Sequence, residues 1–405
     1  MQKTVAIVGT LDTKGVEYKF LKDQIEANGI STMVINTGIV GGPAFPPDIS
    51  ASEVAKAGGA ELNELLKERD RGHSVTVMSQ GAAAIVKNLY EQGKIQGVIS
   101  MGGSAGTTIG TNAMRALPTG VPKVMLSTIA SGDTRPYVDV KDITMMNSVV
   151  DISGINRLSR RILINAAAAI TGMAKAEMEV KAEDRPLVAA TMFGVTTPCV
   201  TKAREILESA GYEVLVFHAT GIGGRAMEDL VRGGFIKGIL DITTHELADE
   251  LVGGVCRSGP NRLEAAGELG IPQVVVPGAL DMVNFWAPET VPDKFKGRQF
   301  YQHNPIVTLM RSTIKENAQL GKVIAEKLNR AKGPTIVVIP RKGVSAIDKE
   351  GQPFYDAEAD AAFVKTLKSN LTEQVKLIEM DNHINDDQFA SMVANLLLEN
   401  MKNVT

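Results

Sequence analysis

A chain of 405 residues with 44% hydrophobic residues and a formal net charge of −3 is long enough for two cores. Its charge is too balanced to leave an electrostatic footprint for nucleic acid or an anionic membrane. Two cysteines, Cys199 and Cys256, are too few for a disulfide framework or a zinc cluster, and no apolar run reaches membrane-spanning length. Met1-Gln2-Lys3-Thr4 lacks the apolar core and cleavage site of a signal peptide, so a soluble cytoplasmic protein is expected.

Val5-Ala6-Ile7-Val8 is a continuous apolar run into Gly9-Thr10, the pattern of a strand buried on both faces. Helix signals run from Gly15 to Asn28 and stop at Gly29. Thr32-Met33-Val34-Ile35 is the second strand, ending in Asn36-Thr37-Gly38. A glycine-, proline- and alanine-rich excursion follows over residues 39–60. Ser74 to Met78 has strand propensity, but Met78, Ala82, Ile85, Val86 and Leu89 keep helical spacing, which predicts one helix from His73 to Leu89. The third strand, Gly97-Val98-Ile99, enters Met101-Gly102-Gly103-Ser104-Ala105-Gly106-Thr107. Pro122 to Leu126 is the fourth strand, ending in Ser127-Thr128-Ile129-Ala130-Ser131-Gly132. Ile143 to Met146 is a fifth, and Asn156 to Met178 a long helix. The charged stretch Lys181 to Pro186 marks a boundary between a nucleotide-binding Rossmann-like domain over 1–182 and a second Rossmann-like domain over 183–405.

Beyond the boundary the pattern repeats. Gly29 to Ile35 lines up with Gly211 to Phe217, each leading into Thr-Gly-Ile (37–39 and 220–222) and a glycine pair, Gly41-Gly42 and Gly223-Gly224. Val5 to Val8 corresponds to Leu187 to Ala190, Ile95 to Ile99 to Ile236 to Leu240, Gly120 to Val124 to Gly270 to Val274, and Ile143 to Ser148 to Val307 to Ser312. Matches in the same order argue for two similar βα halves with parallel sheets and right-handed crossovers, facing each other across a cleft lined by the carboxyl ends of their strands. The last helix, Asp387 to Met401, is expected to pack back on the first domain.

Strand, glycine turn and helix start at Gly102-Gly103-Ser104-Ala105-Gly106-Thr107 present free backbone N–H groups to an anion, and glycines let a phosphate approach closely. The corresponding stretch of the second half holds four carboxylates, Asp241, Glu246, Asp249 and Glu250, which would repel a phosphate. That contrast assigns the nucleotide to the first half. Gly9, Thr10, Asp12, Thr13 and Lys14 close the first strand, with Asp12 able to cap the helix or face a metal and Lys14 able to meet phosphate charge. Asn36, Thr128, Ser131 and Gly132 close neighbouring strands. Neither a Walker A loop nor G-x-G-x-x-G with an acidic ribose clamp occurs, which favours a mononucleotide over NAD.

In the second half, Asp241, His245, Asp281 and Arg311 are the candidates for chemistry on a second substrate. His245 beside Asp241 reads as a base held by a carboxylate, as one of two metal ligands, or as a hydrogen-bonded structural histidine. No metal-ligand set is assigned. Arg311 suits a carboxylate or phosphate of a second substrate, or an internal salt bridge. Cys199, after Thr197-Pro198, sits at a predicted helix N-terminus where a thiol pKa can fall; the alternative is a buried structural thiol.

Thr10 to Gly15, Gly102 to Thr107, Phe217 to Arg225, Leu240 to Thr244 and Pro277 to Phe285 together resemble the family of the ATP-binding domain at the N-terminus of the tomato mosaic virus resistance protein. The resemblance covers nearly the whole chain. It implies ATP binding in the first subdomain, with Mg2+, two Rossmann-like subdomains of the nucleotide-sugar epimerase type, and a homodimer. It supplies no reaction. Three readings stay open: an ATP-dependent enzyme of small-molecule metabolism acting in the interdomain cleft, a non-catalytic ATP-dependent switch or interaction module, and, by fold analogy alone, a sugar-nucleotide epimerase.

Overall fold

The computed structural model describes residues 3–177 and 184–402. They fall into two compact units that separate at 180/181. The boundary expected at 182/183 lies outside the described residues.

The first unit runs β1 (Thr4–Gly9), α1 (Gly15–Ala27), β2 (Ser31–Asn36), α2 (Ala51–Ala57), α3 (Leu62–Glu68), α4 (Arg71–Glu91), β3 (Gly97–Gly102), α5 (Ser104–Arg115), β4 (Lys123–Ser127), α6 (Arg135–Val138), β5 (Thr144–Asn147) and α7 (Arg157–Lys175). Its sheet has the order β2-β1-β3-β4-β5, all parallel. All six residues of β3 are buried, because helices cover both faces. On one face Val5, Ile7 and Ile99 pack with Tyr18, Leu21 and Ile25 of α1 and Leu163 and Ile170 of α7. On the other, Ala6, Val8 and Val98 pack with Val77, Ala82 and Val86 of α4 and Ile109 and Ala113 of α5. The helix read over His73–Leu89 is α4, so burial of its apolar stripe overrides the strand propensity of Ser74 to Met78.

The second unit runs β6 (Leu187–Met192), α8 (Thr197–Ser209), β7 (Glu213–His218), α9 (Ile222–Arg232), β8 (Ile236–Thr243), α10 (Glu246–Val252), α11 (Ala265–Leu269), β9 (Gln273–Gly278), β10 (Met282–Phe285), β11 (Phe300–Asn304), β12 (Val307–Arg311), α12 (Ile314–Leu328), β13 (Thr335–Pro340), α13 (Ala357–Asn370), β14 (Val375–Met380) and α14 (Asp387–Lys402). Its main sheet, β7-β6-β8-β9-β13-β14, is also parallel throughout. The first four strands of each unit therefore take the same spatial order, second-first-third-fourth, and the repeat seen in the sequence holds for them. The chain is a pair of Rossmann-like α/β units.

The fifth correspondence is corrected. β5 is a parallel edge strand of the first sheet, whereas β12, its sequence match, lies antiparallel between β10 and β11 in a separate three-stranded sheet. Only Pro305 and Ile306 connect β11 to β12, and so short a link permits only an antiparallel neighbour. The parallel place beside β9 goes to β13. The buried face of α14, Phe389, Ala390, Val393, Ala394 and Leu397, packs on α8 and on β8 and β9 of its own unit.

Candidate functional site

In a parallel sheet whose strand order reverses, the crevice for a ligand opens where neighbouring strands send their helices to opposite faces. In the first unit that point is between β1 and β3, with α1 on one face and α5 on the other. A pocket of about 880 Å3 opens there, within the range of small-molecule sites. Its floor is Thr10, Asp12, Thr13 and Lys14 after β1 and Gly102, Gly103, Ser104, Ala105 and Gly106 after β3.

α5 starts without a side-chain cap or an acidic residue in its first turn. Thr107 N–H donates to Gly103 O at 2.8 Å, but the N–H groups of Ser104, Ala105 and Gly106 have no partner among the described residues. Three open donors thus stand at the positive end of a twelve-residue helix, where a negative charge is favoured. Two glycines make the approach possible. A Cβ on Gly102 would lie 2.9 Å from Gly106 Cα, and one on Gly106 3.2 Å from Met101 O. Gly103 differs: a Cβ there meets only Thr128 Oγ1, at 3.7 Å, so its outer side is open.

The other candidates of the first half divide by role. Thr10 and Thr13 line the pocket, their hydroxyls 3.0 Å apart. Asp12 does not cap α1. It accepts from Thr13 N, Val40 N and Gly41 N at 2.7, 2.7 and 3.3 Å, which ties the 38–41 loop to the end of β1. Lys14 lines the pocket while donating to Ile152 O, and so holds the loop after β5. Gly9 lies against Tyr18, whose ring would be 1.9 Å from an added Cβ. Asn36 is buried and accepts from Leu11 N and Gly38 N at 3.1 and 2.9 Å. The Thr107 hydroxyl bonds Ser127 Oγ at 2.6 Å beneath the turn. Thr128 N–H donates to Gly102 O at 3.2 Å, supporting the cradle from behind, and Ser131 and Gly132 lie in an exposed turn outside the pocket lining.

Residues the sequence reading missed form the remaining wall. Leu65 and Leu66 of α3, Val75 and Met78 of α4 and Ile109 of α5 make an apolar side, and Arg69 and Arg71 stand on the α3–α4 turn. Except for Ile109, which follows the glycine floor on α5, they lie more than 20 residues from either floor segment, so no local motif joins them. The only sequence signal was the apolar stripe of α4.

The acidic stretch of the second half is not a phosphate-repelling surface. Arg262, fully buried, pairs with two of its carboxylates: Nη2 donates to Asp241 Oδ1 at 2.7 Å, Nη1 to Asp241 Oδ2 at 2.5 Å, and Nε to Glu246 Oε2 at 2.7 Å. Asp241 also accepts from Thr191 Oγ1, and Glu246 from Gly221 N and Gly224 N. Asp249 accepts from Cys256 N and from both nitrogens of Asn284. The glycine pairs of the repeat therefore serve different ends. A Cβ on Gly224 would meet Glu246 Oε2 at 2.0 Å, while Gly42 has open space. Asp241 is a structural partner of Arg262, not the orienter of His245.

His245 is fully buried with neither ring nitrogen hydrogen-bonded, its ring 4.4 Å from that of Phe193. Burial, then Arg262 and His218, push it down to about 3, so the ring is neutral, and neither nitrogen makes the hydrogen bond of a structural histidine. Cys199 is buried and pushed up to about 12 by that burial, an inert thiol. Arg311 reaches Asp360 at 3.0 Å and Asp348 at 3.5 Å, and donates to Phe354 O. Asp281 accepts from Ser345 Oγ at 2.8 Å, while its Oδ1 has no partner. Both are internal; the carboxyl that reaches an open surface is Asp360.

These groups make stability depend on pH. Burial raises Asp281 and Asp348 to about 6, and Asp249 and Asp360 to about 7. Between pH 4 and 7 the folded unit holds protons on them that the unfolded chain has released, so their contribution is full below the unfolded value near 4 and is lost as pH rises through the folded values of about 6 to 7. His245 opposes this with one proton refused below about 6.5. Carboxyls held low by partners, such as Glu316 beside Arg298, act only below about pH 4.5. Urea unfolding of the second unit is expected to show about 2 kcal/mol more stability at pH 6 than at pH 8. A flat or rising profile contradicts the burial of protonated carboxyls.

Among the described residues no helix is long and apolar enough to cross a membrane. Residues 3–179 and 185–401 match the family models described as the N-terminal and C-terminal domains of the uncharacterised protein family UPF0261. The chain is 58% identical to a UPF0261 protein of Clostridium tetani, with 99% of this chain and 100% of that one covered. It is 41% identical to the ToMV resistance protein Tm-1 of Solanum lycopersicum, covering 98% of this chain and 55% of that protein. Among solved structures it is similar to a UDP-N-acetylglucosamine 2-epimerase of Rickettsia bellii, at 10% identity and a TM-score of 0.25, covering 100% of this chain and 98% of that one.

Proposed function

We propose that this chain, which belongs to the uncharacterised protein family UPF0261, binds ATP in the pocket of its first unit and uses it as an enzyme of small-molecule metabolism. The observation that carries the reading is the start of α5: three unpartnered N–H groups, no acidic residue in the first turn, and a glycine floor, all opening into one pocket. The apolar wall of Leu65, Val75, Met78 and Ile109 suits a purine. Lys14 and the two guanidinium groups at Arg69 and Arg71 suit phosphate charge. Mg2+ would ride on the phosphates with water filling its other positions, since Asp12 is already committed to backbone donors. The raised carboxyls of the second unit, Asp281, Asp348 and Asp360, support an enzyme over a passive module. The reading includes a homodimer.

Calorimetric titration of the full chain with Mg-ATP, and with adenosine in parallel, tests it. ATP is expected to bind with a micromolar constant and adenosine far more weakly, because the helix start binds the phosphates. No ATP binding overturns the proposal. Tight binding without turnover moves the function to a nucleotide-dependent switch.

A further inference from the structure

The second unit has a pocket of its own, about 420 Å3, at the carboxyl ends of β9 and β13. Leu280, Ile339 and Phe363 give it apolar walls, and Arg341, Lys365 and Lys368 line it as cations. Arg341 and Lys368 both reach Glu379 of β14; Lys365 is exposed and has no ion-pair partner among the described residues. The pocket is lined by one carboxyl, Asp360 of α13.

Asp360 is the outer member of a buried cluster. Arg311 Nη2 lies 3.0 Å from Asp360 Oδ1 and 3.5 Å from Asp348 Oδ1. Asp281 adds a third carboxyl, bonded to Ser345 Oγ, and His383 Nε2 donates to Ser345 O. Asp281 and Asp348 are fully buried, and in each the Oδ1 atom has no hydrogen-bond partner. One guanidinium cannot neutralise three carboxylates, and a buried carboxylate with an open oxygen is expensive to keep ionised. The cluster therefore retains at least one proton near neutrality. Asp360 is pushed up to about 7, by burial first and by Asp348 next, against Arg311.

We propose that this pocket is a binding and proton-exchange site for a small organic anion, with Lys365 as its anion contact and Asp360 as its acid–base group. The Asp360 O–H donates its proton to the bound molecule, leaving a carboxylate beside Arg311, and the reverse transfer restores it. The groups facing Asp360 suit this cycle. Arg311 from β12 stabilises the ionised form, Asp348 and Asp281 from the loops after β13 and β9 favour the protonated one, and Lys365, Lys368 and Arg341 hold the anion, with Glu379 partly offsetting the last two. Asp281 and Arg311 position Asp360 and do not touch the ligand.

The test uses the full chain and 4-fluorobenzoate as a probe, followed by fluorine NMR line broadening without nucleotide, so that it stands apart from the ATP reading. The wild type is expected to broaden the resonance, with affinity falling as pH rises from 6 to 8. Lys365→Glu is expected to weaken binding roughly 10-fold, and Asp360→Asn to abolish the pH dependence. Absence of broadening in the wild type, equal binding by Lys365→Glu, or an unchanged pH profile in Asp360→Asn overturns the proposal. Lys365 is exposed, so its variant reports even where Asp360→Asn fails to fold.

Discussion

Replacing Arg262 by Met is expected to cost the second unit about 3–5 kcal/mol, enough to unfold it or to lower its thermal midpoint by many degrees. The guanidinium is fully buried and is hydrogen-bonded to both oxygens of Asp241 and to Glu246, with Glu228 at 3.7 Å. Methionine fills comparable volume, so the loss is electrostatic: two buried carboxylates keep their backbone and hydroxyl donors but lose their cation. Gly221 and Gly224 donate to the same Glu246, so the start of α9 loosens with it. A compensating variant separates this cause from simple misfolding. Arg262→Met combined with Asp241→Asn and Glu246→Gln removes the uncompensated charge and is expected to recover at least half of the loss. Calorimetric scans of the two variants check it. Equal destabilisation of both would show that shape, not charge, makes Arg262 necessary.

Gly103→Asp is expected to leave the fold intact and to weaken ATP binding at least about 100-fold. The backbone at Gly103, φ −81° and ψ −156°, accepts any residue, and an added Cβ meets nothing closer than 3.7 Å. A carboxylate there would project beside the open N–H groups of α5. At about 4 Å from a phosphate, with an effective dielectric near 20, the repulsion is about 4 kcal/mol, and the aspartate would itself occupy the helix start. Gly103→Ala is the control: no charge, ordinary contact, and affinity within a few-fold of wild type. An unchanged unfolding midpoint with lost binding is the expected pair of results for the aspartate. Unchanged binding would remove the phosphate from this turn.

The parallel strands were legible because helices cover both faces, so Val5 to Val8, Gly97 to Ile99 and Leu187 to Ala190 read as unbroken apolar runs. The glycine turn was legible for a related reason: Gly102 and Gly106 must approach each other closely. What failed depends on contacts far apart in sequence. Val307 to Met310 has the hydropathy of a parallel strand, and only the two-residue link at Pro305-Ile306 reveals the hairpin. The acidic run from Asp241 read as a charged surface because its cation, Arg262, follows the irregular stretch Ser258-Gly259-Pro260-Asn261, outside any periodic element. The clue was charge balance: a strand end carrying carboxylates and flanked by apolar residues needs a buried cation. Asp281 and Arg311 were singled out by their strand-end positions, whereas Asp360, the carboxyl of their cluster that lines the pocket, was not, because it belongs to the alanine-rich start of α13.

The central claim is that the start of α5 holds the phosphates of ATP, and a crystal structure of the full chain soaked with ATP and Mg2+ tests it most directly. The account predicts phosphate oxygens within hydrogen-bond distance of the N–H groups of Ser104, Ala105 and Gly106, with the base against Leu65 and Met78. Phosphates lying elsewhere, in the second unit or away from Gly102 to Thr107, would contradict it.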